Sequence, residues 1–245
     1  MIDAFFDFTT DTPNYWRNFW KDDVLGYGDG GKDPDSYSPT MKNYHRILWS
    51  KQLPNGQHMR LEFEENNGYL CWESFRFGAD SICASFRYKK FRNMLEQVKS
   101  SIPNYHRLME NFIRSTYTIG GSIIFPKTNS LNRARGCNHS IKDRWDLTLE
   151  CIRKYYKNET SPLFEDLKKN KEFFDLFVDF KGYVDFFFLQ DCVTDDYKSV
   201  IFWIGDGDMN KNPLPQTIEE YLIWIDKQLE FVRKRNKRIE ESFND

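Results

Sequence analysis

The sequence predicts an α+β fold, in which an N-terminal antiparallel β-meander packs against several helices. Short runs of strand-forming residues, separated by turn residues, fill the early part of the chain. Beyond residue 90, apolar residues recur at the three- and four-residue steps of amphipathic helices. Strands and helices are therefore partly segregated along the chain, which is typical of α+β proteins. A long C-terminal helix is expected to complete the fold.

The predicted meander has four strands joined by turns. Residues 1–40, which precede it, are expected to be irregular apart from a short helix over residues 13–20. Pro54-Asn55-Gly56 has the composition of a hairpin turn with a strand on either side. Turns at residues 66–68 and 78–80 introduce two more strands. The four strands are predicted over residues 44–51, 57–63, 69–75 and 81–88.

Helical spacing follows the meander. It runs from Phe91 to Phe112, and Pro103 is expected to break this element because proline lacks the N–H that a helix interior needs. Residues 116–125 then predict a buried strand. The hydroxyl of Ser140 is expected to cap the next helix by accepting from its first backbone N–H groups.

The C-terminal part is predicted to be mainly helical. Ser161-Pro162 begins a helix, and the phenylalanine-rich residues 173–189 fit either helix or strand. A strand is predicted over residues 199–204. Thr217 and Glu220 then form a capping box, which indicates where the final helix begins.

The composition indicates one domain, residues 1–245, and a cytoplasmic protein. The 35 basic and 37 acidic residues leave a net charge of −2, so no global field draws the chain to nucleic acid or to an anionic membrane. The 5 cysteines have no metal-binding spacing, and their odd number argues against a closed disulfide framework. The sequence also lacks a secretory leader and the run of about 18 apolar residues that a membrane span needs.

A polar cluster after the predicted strand 116–125 is the best candidate for a functional site. Arginine side chains bind phosphate or carboxylate groups bidentately, so those in the loop could hold an anionic ligand such as a nucleotide. The acids that follow are spaced to share a helix face, where Asp146 or Glu150 would act as the acid/base and His45 or Lys51 would come from the meander. The ligand-binding candidates are Arg133, Arg135, Asn138, Arg144 and Trp49, and the catalytic candidates are Asp146, Glu150, His45 and Lys51.

Three functional hypotheses follow from this cluster. The first is an enzyme or effector, such as a toxin or defence protein, that acts on a nucleotide or nucleic acid; it predicts that Arg135 and Glu150 line one concave pocket with a residue from 49–51. The second is a non-catalytic domain that binds a small ligand or a protein. The third is a metal-dependent hydrolase using Asp143, Asp146 and Glu150, for which the sequence offers too few ligands. An ion-pair scaffold would also explain these charges. No cofactor is identified, and nucleic-acid binding and oligomeric state stay open.

Three further motifs are interpreted as structural. Residues 26–32 have the G-x-x-x-x-G-K pattern of a phosphate loop, but Pro34 excludes the helix that would hold the phosphate. Residues 206–210 alternate oxygen ligands as a calcium loop does, yet Lys211 stands where the turn glycine is needed. Residues 233–238 form a basic run without interleaved aromatic side chains, which favours a helix end over an RNA-binding surface.

Longer motifs resemble a bacterial family known only as a domain of unknown function. They are Leu48-Trp49-Ser50-Lys51 with Leu53-Pro54-Asn55-Gly56, Tyr117-Thr118-Ile119-Gly120-Gly121 with Ile124-Phe125-Pro126, Arg135-Gly136-Cys137-Asn138, and Asp143-Arg144 with Asp146-Leu147-Thr148-Leu149-Glu150. The resemblance covers nearly the whole chain, which supports a single domain. It implies a bacterial, cytosolic protein and no particular reaction.

Overall fold

The computed structural model describes residues 2–16, 32–64, 69–84 and 92–244, without the side chains at positions 92, 134, 135, 138 and 244. Its strands are β1 (Glu62–Phe63), β2 (Leu70–Trp72), β3 (Phe75–Ser81) and β4 (Ser122–Pro126). They form one antiparallel sheet in the order β1-β2-β3-β4. In the register of β2 and β3, Leu70 pairs with Phe77 and Trp72 with Phe75.

Helices make up about half of the remaining described chain. They are α1 (Pro34–Tyr37), α2 (Pro39–Trp49), α3 (Arg92–Ser101), α4 (Tyr105–Thr116), α5 (Asn138–Ser140), α6 (Trp145–Tyr156), α7 (Phe164–Lys169), α8 (Lys171–Asp175), α9 (Phe180–Phe186) and α10 (Ile218–Asn244). Short 3-10 turns cover Ile119–Gly121 and Gln190–Cys192, and a π-helical turn covers Arg133–Cys137. This combination of one antiparallel sheet with many helices confirms the predicted α+β class.

The chain divides into two compact units. The first contains Met1–Asn43, Ser81–Ser122 and Leu214–Asp245, and the second contains Tyr44–Asp80 and Ile123–Pro213. In the first unit, α10 packs against α4 and against the 3-10 turn Ile119–Gly121. The side chain of Asn236 on α10 accepts a hydrogen bond of 2.6 Å from the backbone N–H of Gly120. A Cβ atom at Gly120 would lie 2.4 Å from that amide oxygen, so this close approach requires glycine.

The second unit has an aromatic core beside helix α6. Every residue of α6 from Trp145 to Ile152 is buried. Rings from the α8–α9 region pack together, with centroids 5.2 Å apart for Phe177 and Phe186 and 4.9 Å apart for Tyr183 and Phe187. The ring of Trp49 lies 5.0 Å from that of Phe187. The phenylalanine-rich stretch that fitted either helix or strand is therefore helical and forms core.

The strand predicted over residues 44–51 is wrong, because most of these residues belong to α2. The buried side chains of Met41, Tyr44 and Leu48 repeat at steps of three and four, which is the helical period. The turn at residues 54–56 predicts a strand on either side. In the structure, the pairing across this turn is limited to one β-bridge between Gln52 and His58.

Several other boundaries also differ from the predictions. The strand predicted over 57–63 is reduced to β1, and the turn predicted at 78–80 lies inside β3. Residues 116–125 contain the end of α4 and a 3-10 turn before β4 begins. Val200 forms only an isolated bridge with Val193, so the strand over 199–204 is wrong. The capping role of Ser140 is also wrong, since this residue ends α5 and α6 begins at Trp145.

Two helix boundaries are confirmed. Helix α3 ends at Ser101 and α4 begins at Tyr105, on either side of Pro103. The Thr217 hydroxyl accepts the Glu220 N–H at 3.1 Å, while the Glu220 carboxylate accepts the N–H of Gln216 at 2.7 Å. Residues 17–31, 65–68 and 85–91 lie outside the described residues; they include the turn at 66–68, most of the glycine loop 26–32, and parts of the helix 13–20 and the strand 81–88.

Candidate functional site

The segment that carries the predicted cluster begins α6 with a buried ion pair between Arg144 and Asp146. Nε of Arg144 donates to Oδ1 of Asp146 at 2.7 Å, and a second guanidinium nitrogen donates to Oδ2. The same Asp146 carboxylate accepts the backbone N–H of Trp203 at 2.9 Å. Both carboxylate oxygens are therefore occupied, which favours a structural role for Asp146.

Arg144 also holds a loop that returns to the start of α6. Its guanidinium donates to the backbone carbonyl of Ile204 at 3.0 Å and to that of Pro213. We call residues 204–213 the 204–213 loop. Between its ends, the Cys151 thiol contacts the Met209 sulfur at 3.6 Å. The 204–213 loop is thus fixed at both ends by one side chain and touched near its middle by α6.

A second buried pair lies beside the first. A guanidinium nitrogen of Arg133 lies 3.5 Å from a carboxylate oxygen of Asp143, and Arg133 also donates to the Thr148 hydroxyl at 3.2 Å. The Arg133 guanidinium lies over the Trp145 ring at 5.2 Å. Asp143 has φ +62° and the preceding Lys142 has φ +58°, so two consecutive non-glycine residues adopt the left-handed conformation. Such residues persist only where their surroundings hold them, and they are frequent at functional sites.

The other described candidates form contacts with residues outside this pair. Glu150 accepts two hydrogen bonds of 2.7 Å from Arg153, three residues later on α6, and these bonds are the main cause of the raised pKa of Arg153. His45 is buried on α2, where its Nδ1 accepts from the Trp49 indole at 2.9 Å, so its ring proton lies on Nε2. Lys51 donates to the carbonyl of Phe186 at 2.8 Å.

A small pocket lies between the start of this segment and the 204–213 loop. Its volume is about 290 Å³. We call it the Lys142 pocket; it is lined by Ser140, Ile141, Lys142, Leu147, Met209, Asn210, Lys211, Asn212 and Pro213. Lys211 pairs with Asp206 at 2.7 Å and with Asp208 at 3.7 Å. Within the described part of the chain, the side chains of Ser140, Lys142 and Asn210 form no hydrogen bond or ion pair.

The predicted charged cluster and part of the Lys142 pocket share one segment of the chain, residues 133–150. The described side chains of the predicted site residues do not line the Lys142 pocket, whereas Lys51 lines a second pocket. The side chains of Arg135 and Asn138 are outside the description, so a pocket shared by Arg135 and Glu150 stays a prediction, as do the assigned catalytic and binding roles. In the sequence, Lys142 lies between the arginines at 133 and 135 and the acids that begin at Asp143.

The described residues also bear on metal sites and on membrane insertion. No group of three or more His, Cys, Asp or Glu side chains among them is arranged to hold a metal ion. In particular, Asp206 of the calcium-like loop pairs with Lys211. No described helix is both long and apolar enough to cross a membrane.

The fold and the pocket define an α+β protein in which a small pocket, lined by two lysines, lies near the buried ion pairs at the start of α6. The chain belongs to a family of unknown function, DUF6994, whose sequence model matches residues 2–239. The resemblance to a domain of unknown function is thereby confirmed. No curated protein and no solved structure matches the chain.

Proposed function

We propose that this protein binds a small anionic molecule, bearing a phosphate or carboxylate group, in the Lys142 pocket. The observation that carries the proposal is a set of three donor side chains at one cavity, from Ser140, Lys142 and Asn210, that have no partner among the described residues. Lys211 contributes a second ammonium group, and the nine lining residues contain no carboxylate. An anion would therefore gain hydrogen bonds and a favourable potential in this pocket.

The size and walls of the pocket restrict the ligand further. About 290 Å³ is at the lower end of the range for small-molecule sites, which favours a small metabolite over a dinucleotide. Ile141, Leu147, Met209 and Pro213 supply apolar contacts beside the donors. An organic anion with a short carbon skeleton would use both kinds of wall.

The backbone of Lys142 supports the same proposal. Left-handed lysine costs on the order of 1–3 kcal/mol, which the fold must supply elsewhere. The buried contact between Arg133 and Asp143, at 3.5 Å, holds the neighbouring residue and helps to maintain this conformation. The result is an exposed ammonium group on a backbone that is fixed before any ligand binds.

Binding is testable with inorganic phosphate, sulfate and acetate as probes. Calorimetric or NMR titration of the intact chain should show saturable binding of at least one of these anions. Lys142→Gln should weaken that binding about tenfold, because a charge-assisted hydrogen bond is lost. Lys157→Gln is the matched control, since Lys157 is an exposed lysine at the other end of α6. No binding to the unaltered protein, or equal weakening by both substitutions, would contradict the proposal.

The enzymatic hypothesis stays a prediction beside this one. It requires Asp146 or Glu150 to exchange a proton with a substrate, yet each carboxylate accepts two hydrogen bonds from an arginine. These ion pairs favour binding over acid–base catalysis.

A further inference from the structure

The second unit contains a larger pocket at a different place. It lies between the turn after α2 and the start of α9, and its volume is about 660 Å³. We call it the Lys51 pocket. Leu53, Pro54 and Val178 give it apolar walls, and Phe177 and Phe186 form part of its base.

Unusual backbone conformations concentrate around the Lys51 pocket. Val178 lines it with φ +69° although its side chain is β-branched and the residue is 63% exposed. A β-branched residue in the left-handed region is a genuine outlier. Phe188 and Tyr197 are also left-handed, at φ +55° and φ +57°. The Phe188 ring lies 4.1 Å from the Lys51 ammonium, and the Tyr197 hydroxyl donates to Asp185 at 2.7 Å. Strain of this kind is often retained because a binding site needs the geometry.

The pocket is also held rigidly on both sides. Lys51 donates to the carbonyl of Phe186 at 2.8 Å, which ties the turn to the end of α9. The backbone N–H of Asn55 donates to the carbonyl of Leu176 at 3.2 Å, ahead of α9. Two bonds therefore connect the opposite walls, so a ligand would enter a preformed pocket at a low entropic cost.

Charges of both signs line the Lys51 pocket. Lys181 is exposed and pairs with Asp185. Burial would raise the pKa of Asp185, but hydrogen bonds from Lys181, Tyr197 and Gln190 outweigh it and lower the pKa, so this carboxylate is already engaged. Asp179 accepts from the Gly182 N–H through Oδ1 at 2.7 Å, and within the described chain its Oδ2 accepts no hydrogen bond.

We infer that the Lys51 pocket binds a zwitterion, specifically an α-amino acid with an apolar side chain. The ligand carboxylate would pair with the ammonium of Lys181, which has further N–H donors besides the one directed at Asp185. Lys51 adds positive charge to the same pocket. The ligand ammonium would pair with Oδ2 of Asp179, and its side chain would cover Pro54 and Val178. A ligand with only one sign of charge would form one of these charged hydrogen bonds and forgo the other.

The charge requirement is tested first with ligand derivatives. Leucine, N-acetyl-leucine and leucine amide share one side chain, and the two derivatives each lack one charge. Titration of the intact chain should show binding of leucine and at least about tenfold weaker binding of each derivative, because each loses one charged hydrogen bond. Binding of N-acetyl-leucine as tight as that of leucine would overturn the zwitterion assignment, and so would the absence of leucine binding.

Substitutions then locate the site. Asp179→Asn keeps a residue suited to cap α9 but removes the charge, and Lys181→Gln removes the cation. Both should weaken leucine binding about tenfold. The matched controls are Asp175→Asn and Lys171→Gln, which remove the same charges from an acid and a lysine on α8 outside the pocket. Equal effects of test and control substitutions would overturn the inference. Phosphate binding in the Lys142 pocket should be unchanged in all four variants, so the two proposals can fail separately.

Discussion

Arg235 is a buried arginine whose hydrogen bonds reach backbone carbonyl groups. It lies within the basic run 233–238, yet it is 0% exposed and donates to the carbonyls of Gly120 and Ser122, each at 2.8 Å. The sequence pattern suggested a solvated helix end. The guanidinium instead donates to carbonyls of the 3-10 turn Ile119–Gly121 and of the first residue of β4.

Replacement of Arg235 should destabilise the protein much more than replacement of a neighbouring arginine. Arg235→Met keeps an unbranched apolar stem but leaves the two carbonyls without their donor, which should lower the free energy of unfolding by about 3 kcal/mol. Arg233→Met, at an exposed position of the same helix, should change it by less than about 0.5 kcal/mol. Urea denaturation of both variants measures the difference. Equal stabilities would show that the buried hydrogen bonds contribute little.

At the scale of elements, the 204–213 loop depends on the start of α6. Arg144 contacts both of its ends, at Ile204 and Pro213, while Asp146 orients the guanidinium. The loop contributes five of the nine residues that line the Lys142 pocket, from Met209 to Pro213. The ion pair between Arg144 and Asp146 therefore holds the loop that forms one wall of the Lys142 pocket.

Arg144→Lys should loosen this loop without removing the positive charge. A lysine cannot reproduce the planar fork that reaches Asp146 and two carbonyls at once. Hydrogen exchange of the backbone amides in residues 204–213 should accelerate by about tenfold or more, corresponding to the loss of at least one charged hydrogen bond. Arg153→Lys is the control, because Arg153 pairs with Glu150 and has no hydrogen bond to the loop among the described residues. Unchanged exchange in Arg144→Lys would show that other contacts fix the loop.

The sequence predicted the fold class and the ends of helices better than it predicted the strands or the hydrogen-bond partners of the charged side chains. Pro103 and Thr217 mark helix ends through local chemistry, which needs no knowledge of the rest of the chain. The turn at residues 54–56 is present, with Gln52 bridged to His58 across it, but the strand predicted before it is wrong. The burial of Met41 and Leu48 follows the helical period instead. The partners of Arg144 are 60 and 69 residues away, so no local spacing could separate an ion-pair scaffold from a ligand site.

At the scale of the whole molecule, both compact units contain a buried cysteine whose reactivity can be followed. Cys83 is buried in the first unit, and Cys137, Cys151 and Cys192 are buried in the second, where Cys71 is partly exposed. Burial raises the pKa of Cys137 to about 12 and that of Cys151 to about 11. These thiols stay protonated when folded, whereas unfolded thiols ionise near the ordinary value of 9.0. Their contribution to stability is therefore complete below pH 9 and declines as the pH rises above it.

Thiol labelling at pH 8 tests whether residues 1–245 unfold as the single domain that the sequence predicts. Cys71 should react first, because it is the more exposed thiol and reaction requires an accessible thiolate. If the chain is one cooperative domain, Cys83 and Cys137 should become reactive with the same opening free energy and the same dependence on urea concentration. Mass spectrometry of labelled peptides measures both sites in one sample. A smaller opening free energy or a shallower urea dependence at Cys83 would show instead that the first unit opens alone, and the single-domain prediction would then be wrong.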